Sequence, residues 1–167
     1  MHLGRTTLSK FLIQQLEGID GSRDLGALLI DVAAAVKTIA SMGSYLSTFG
    51  SSVPTMLYAT LLAGQYTTPA IWAEVIGAFT TTSPVDAYRG AGRPEATYVV
   101  ARIVHQAAVE MGIPQDELRR RNFIRSFPYA TPVGLTYDTG DYEAHLAKAM
   151  RIADVAGFGA RKAEAAK

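Results

Sequence analysis

The chain has 167 residues, is 49% hydrophobic and carries sixteen basic against fifteen acidic residues for a formal charge of +1, the profile of a globular protein of one domain, or of one domain with an appendage. Charges of both signs are interspersed, which excludes the like-charge tracts that attract nucleic acid or an anionic membrane surface. There is no cysteine, so disulfides, thiolate-bound zinc and iron–sulfur ligation are excluded and a cytoplasmic location is expected.

The opening residues lack a basic region followed by an unbroken apolar core. No stretch of about 20 apolar residues is long enough to span a bilayer. Residues 25–42 come nearest, but Asp31 and Lys37 interrupt them. No membrane partner is therefore expected.

In chain order, Thr6 or Thr7 can cap a first helix in which Leu8, Phe11, Leu12 and Leu16 share a face, with Gly18 ending it. Asp24 can cap a second, where Leu25, Leu28, Leu29, Val32, Val36 and Ile39 form a stripe at helical spacing that should stop near Gly43. The two make an antiparallel hairpin.

After Gly43 the texture changes, and "SYLSTFGSSVP" has the composition of a short strand running into a loop. "MLYATLLAGQY" is open between helix and buried strand, with helix preferred. In "AIWAEVIGAF", Ile71, Ala73 and Val75 alternate with Trp72, Glu74 and Ile76, which suits a strand that "TTTSP" then breaks. Pro94 and Glu95 fit the start of a helix whose stripe runs through Val99, Val100, Ile103, Val104, Ala107, Ala108 and Met111 to a stop at Gly112. A short helix from Pro114 ends in the basic residues 119–121. A turn-rich segment then leads to a last helix with Tyr142, Leu146, Met150 and Ala153 on one face, and "GFGARKAEAAK" is expected to fray.

The chemistry concentrates in "VDAYRGAGRPEA", residues 85–96. A glycine pair around a small residue lets backbone N–H groups approach an anion or oxo group without interference from Cβ, the following helix adds its positive end, and Arg89 adds a fixed charge. The plain alternative is a turn before a helix, with its arginines in solvent.

Residues 43–167 resemble the large, molybdenum-binding subunit of the xanthine dehydrogenase and aerobic carbon monoxide dehydrogenase family. The runs that carry the likeness are "GSYLSTFGSSVPT", "LLAGQYTTPAI", "SPVDAYRGAGRPEATYVVARIV", "MGIPQDELRRRNFI" and "TPVGLTYDTGDYEAHLAKAM". Residues 4–42 are similar instead to the amino-terminal helices of class I fructose-1,6-bisphosphatase. The expected fold is therefore α+β: a helical hairpin over residues 1–42, then a truncated mixed helix/strand unit over residues 43–167.

The resemblance implies that Tyr88, Arg89, Gly90, Ala91, Gly92, Arg93 and Glu95 line the molybdenum and its pterin dinucleotide cofactor, and that the parent works with FAD-binding and iron–sulfur subunits. It implies a glycine, Gly90, where the carbon monoxide oxidising form carries a cysteine, which points to a related hydroxylase. No residue matches the family's later general-base glutamate, so no catalytic residue is assigned. A single loop offers one wall, so neither stable cofactor binding nor independent turnover is expected. In the phosphatase-like part, residues 21–25, "GSRDL", match the turn that holds the phosphate of AMP in animal relatives, although a helix-to-helix turn accounts for the same residues.

The remaining candidates have ordinary explanations. His2, His105 and His145 are far apart and read as surface histidines. Asp138, Asp141 and Glu143 lack calcium-loop spacing and read as a turn and a helix cap. Arg119, Arg120 and Arg121 read as a solvated helix end. Apolar stripes left without partners favour an interaction module or a homo-oligomer as the rival function, and the resemblance of residues 4–42 leaves a fructose-1,6-bisphosphatase fragment as a third.

Overall fold

The structure is a computed structural model and describes residues 34–47, 49–50 and 53–167. The first predicted helix, its caps and the "GSRDL" turn lie outside the described residues. The elements are β1 (Ala34–Gly43), α1 (Val53–Thr60), β2 (Ile71–Phe79), α2 (Arg93–Met111), α3 (Gln115–Asn122), β3 (Tyr129–Ala130), β4 (Thr136–Tyr137), α4 (Tyr142–Ile152) and α5 (Phe158–Ala165). Helix and strand are mixed, as expected; β1 pairs with β2 in parallel, joined through α1, and the small β3–β4 pair is antiparallel.

One prediction is corrected outright. Residues 34–43, assigned to the end of the second helix, form β1. Val36 and Ile39 fit a helical stripe, but the strand period is present too: Val36 and Met42 are buried while Lys37, Ile39 and Ser41 face outward. Pairing with β2, from Ala34 opposite Ile71 to Gly43 opposite Phe79, decides between the two periods. The strand expected after Gly43 is correspondingly absent from the described residues of 44–50, which run as bends and coil. The tail also differs: residues 158–165 are helical, with Arg161 paired to Asp154 and bonded to the Ala153 carbonyl at 3.1 Å.

Where periodicity was strong the elements stand as read. The intermediate-to-exposed alternation of Ile71, Trp72 and Ala73 opens β2. α2 begins with Pro94 in its first turn, buries Ala96, Val99, Val104, Ala107 and Ala108, and ends at a left-handed Gly112.

Two apolar cores meet along α2. In one, the inner face of the sheet, including Val36, Ala73 and Val75, packs on Tyr58 and Leu62 from α1 and its following turn and on Ala96 and Val99 from α2. In the other, the far half of α2 packs on Leu118 and Phe123, with Tyr142 and Leu146 of α4 against them. Val100 touches both, so α2 fixes the loop at its amino end to the whole body.

Candidate functional site

Because β1 and β2 are parallel, their carboxyl ends emerge side by side, the edge at which open parallel sheets place their ligands. The chain leaving β2 folds back over the end of β1: Thr80 N–H donates to the Gly43 carbonyl at 2.9 Å and Val85 N–H to the Met42 carbonyl at 3.2 Å. Gly43 permits this crossing, since a Cβ there would collide with the Ser83 carbonyl and lie 2.8 Å from the Pro84 nitrogen.

The loop then tightens. Ala91 N–H donates to the Tyr88 carbonyl at 3.1 Å and Arg93 N–H to the Gly90 carbonyl at 3.0 Å. Gly90, Ala91 and Gly92 have φ of +95°, +39° and +90°, three left-handed residues in a row. Such a run is costly for any residue but glycine, and Ala91 bears that cost in the middle. A Cβ on Gly90 would sit 2.9 Å from the Pro94 ring, so that ring holds the loop backbone against the first turn of α2. Gly92 is buried and caps α2 with its carbonyl, which accepts from Ala96 N–H at 3.0 Å.

The seven predicted residues thus form one continuous structure. Gly90 and Ala91 are half-buried, whereas the side chains of Tyr88, Arg89, Arg93 and Glu95 are exposed, Tyr88 to 89%. Arg93 reaches back to the Gly90 carbonyl at 3.5 Å. The loop's described backbone bonds use the N–H groups of Ala91 and Arg93 and not those of Gly90 and Gly92. Backbone N–H groups without a partner among the described bonds, a helix amino end and two guanidinium groups are a donor set for an anionic group, and the phosphate-bearing pterin cofactor implied by the resemblance fits that chemistry. Glu95 complements the start of the helix and has no acid–base partner among the described contacts.

Beside the loop lies a polar cluster that sequence reasoning missed. Ser41 Oγ lies 2.9 Å from Thr80 Oγ1, which lies 2.9 Å from Thr82 Oγ1. The run "TTTSP" signalled only a strand end, and Ser41 was assigned to a helix.

The other candidates resolve individually. His105 is half-buried on α2 and His145 exposed on α4, and no group of three or more potential ligands gathers among the described residues. Asp141 Oδ1 caps α4 by accepting from Ala144 N–H at 2.9 Å, and Asp138 Oδ1 accepts from Thr139 N–H at 2.9 Å, as expected of a cap and a turn. The basic cluster is a correction: Arg119 is half-buried and bonded to Tyr66, and Arg120 pairs with Glu143 of α4, so two of the three arginines fasten elements together. Arg121 pairs with Glu117 on its own helix at 2.7 Å.

Comparison with known proteins bears on this arrangement. The model of the molybdopterin cofactor-binding domain matches residues 31–123, more than half of the chain and the whole of the loop. The carbon monoxide dehydrogenase large chain of Hydrogenophaga pseudoflava is 36% identical over 107 residues, covering 62% of this chain and 13% of its own length. The nicotine 6-hydroxylase large subunit of Paenarthrobacter nicotinovorans is 32% identical over 104 residues, with the same coverages of 62% and 13%. The crystal structure of quinoline 2-oxidoreductase from Pseudomonas putida 86 superposes with a TM-score of 0.70 at 27% identity, covering 79% of this chain and 17% of that one. The chain therefore spans about an eighth of the length of the curated relatives it matches. It belongs to the molybdopterin cofactor-binding domain family.

Proposed function

We propose that this chain is a piece of a molybdenum hydroxylase large subunit, an oxidoreductase by family, in which Tyr88, Arg89, Gly90, Ala91, Gly92, Arg93 and Glu95 form one wall of the site for a molybdenum–pterin dinucleotide. The observation that carries this reading is the left-handed run Gly90–Ala91–Gly92 at the amino end of α2, beside the carboxyl ends of two parallel strands. The bound group supplies the two-electron redox centre. The chain's own residues would hold it: backbone N–H groups of the loop would donate to its anionic oxygens, and Arg89 and Arg93 would balance their charge.

No turnover by this chain alone is proposed. Proton removal needs a base within hydrogen-bond reach of the substrate; of the two carboxylates in residues 85–96, Asp86 accepts from Ala87 N–H at 2.7 Å and Glu95 lies in the first turn of α2. Gly90, in place of the cysteine of the carbon monoxide oxidising form, favours a parent acting on another substrate. Partner subunits carrying FAD and iron–sulfur clusters complete the electron path in this reading.

Expressing the chain in cells that make the molybdenum cofactor, and measuring molybdenum per purified chain, tests the reading. Substoichiometric metal is expected; one molybdenum per chain would mean that these residues close a site by themselves.

A further inference from the structure

Among the described residues, the sheet formed by β1 and β2 is covered on one face. Its inner face packs on α1 and α2. On the outer face the register aligns Lys37 with Glu74 and Ile39 with Ile76, and Trp72 stands one step before Glu74 on the same side. Ile39 is 66% exposed, Trp72 56% and Ile76 38%. Parallel strands are almost always covered on both faces, because each face carries apolar side chains.

The charges on this face indicate what covers it. Lys37 Nζ lies 3.0 Å from Glu74 Oε2, between Trp72 on one side and the Ile39–Ile76 pair on the other, with both side chains still partly open to solvent. A cation and an anion side by side on neighbouring strands at the same height make the face complementary to itself. A two-fold axis parallel to the strands and midway between them sets β1 of one copy over β2 of the other at equal height. Lys37 of each copy then opposes Glu74 of the other, and Ile39 opposes Ile76. This is the isologous geometry of a symmetric dimer, with two sheets packed face to face at about 10 Å.

We propose that the outer face of β1–β2 is a docking surface for a second copy of this chain. Strands of ten and nine residues offer a narrow face, which suits a weak, concentration-dependent dimer of the smaller interface class.

Sedimentation velocity on the full chain over a wide concentration range, with the variants Lys37→Glu and Glu74→Lys, tests this. The wild type is expected to dimerise as concentration rises. Each variant alone should be monomeric at the concentration where the wild type is half dimeric, because its facing charges become alike. The equimolar mixture should recover the dimer, since each pair is again opposite, and this recovery also shows that both variants are folded. A wild type that stays monomeric throughout, with residues 1–33 or nothing over the face, overturns the proposal. So do single variants that dimerise like the wild type, or a mixture that fails to dimerise.

Discussion

Arg119 Nη1 donates to the phenolic oxygen of Tyr66 at 2.7 Å, across 53 positions of sequence. Arg119 lies on α3, while Tyr66 ends the turn after α1 and stacks on Phe123 with ring centroids 5.9 Å apart. The Tyr66–Phe123 bridge and the bonds from Thr67 N–H to the Asn122 carbonyl (2.9 Å) and Ile124 N–H to the Gln65 carbonyl (3.1 Å) make this a small sheet-like seam. A hydrogen bond to a charged donor is worth about 1.5–3 kcal/mol. Tyr66→Phe should therefore lower unfolding stability by about 1–2 kcal/mol in urea titration, the remaining Arg119 bond to the Ala101 carbonyl softening the loss.

Among the described residues, Leu118 and Asn122 are the two large side chains wholly withdrawn from solvent, at 0% and 1% exposure, one turn apart on α3. Leu118→Ala should cost about 2–5 kcal/mol, the range for emptying a packed leucine site. Asn122 Nδ2 donates to the Leu118 carbonyl at 2.8 Å, and its Oδ1 has no protein partner among the described residues. Asn122→Asp removes that donor and puts a carboxylate at a buried position whose oxygen has no hydrogen-bond partner among the described residues. Its stability should fall on raising pH from 4 to 8 relative to wild type, as monitored by thermal unfolding.

Gly90→Ala would force a Cβ against the Pro94 ring at φ +95°. The expected cost is about 1–3 kcal/mol, the strain of a non-glycine residue in this region. Ala91→Gly, which relieves φ +39° at the next position, should stay within about 1 kcal/mol of wild type, because the relieved strain offsets the added freedom of the unfolded chain. Chemical denaturation of the pair separates loop strain from a general intolerance of substitution.

Burial pushes the Tyr137 phenol above its ordinary value of 10.0, with Tyr142 and Tyr129 adding to the effect, and burial raises Tyr142 as well. The folded chain therefore keeps these protons where the unfolded chain has begun to lose them. Stability is unaffected below the ordinary phenol range and declines as pH rises through it. Tyr137→Phe should flatten the alkaline limb of a stability–pH profile followed by circular dichroism.

The parts of the fold legible in the sequence are those where one period or one punctuation mark had no competitor. α2 combined a long stripe with Pro94 and Gly112, β2 alternated over Ile71, Trp72 and Ala73, and Asp141 capped α4. β1 was not legible, because Val36 and Ile39 satisfy a helical period while Val36 and Met42 satisfy a strand period, and the choice is made by β2, more than thirty positions away. Of the candidate site, the glycines and their helix were legible. The Ser41–Thr80–Thr82 cluster was not, since it depends on β1 and β2 ending together. Arginines at a helix end look alike in sequence; that Arg119 turns inward to Tyr66 is a property of packing.

The role of the 85–96 loop is tested most directly by transplanting it. Residues 85–96 of this chain would replace the matching segment of the nicotine 6-hydroxylase large subunit, with a second chimaera carrying Gly90→Ala in the graft, and molybdenum per assembled complex would be measured. The account predicts metal loading close to that of the unmodified complex for the first graft and a clear drop for the second. Equal loading of both, or loss of metal from both in intact complexes, would contradict the assignment of this loop to the cofactor.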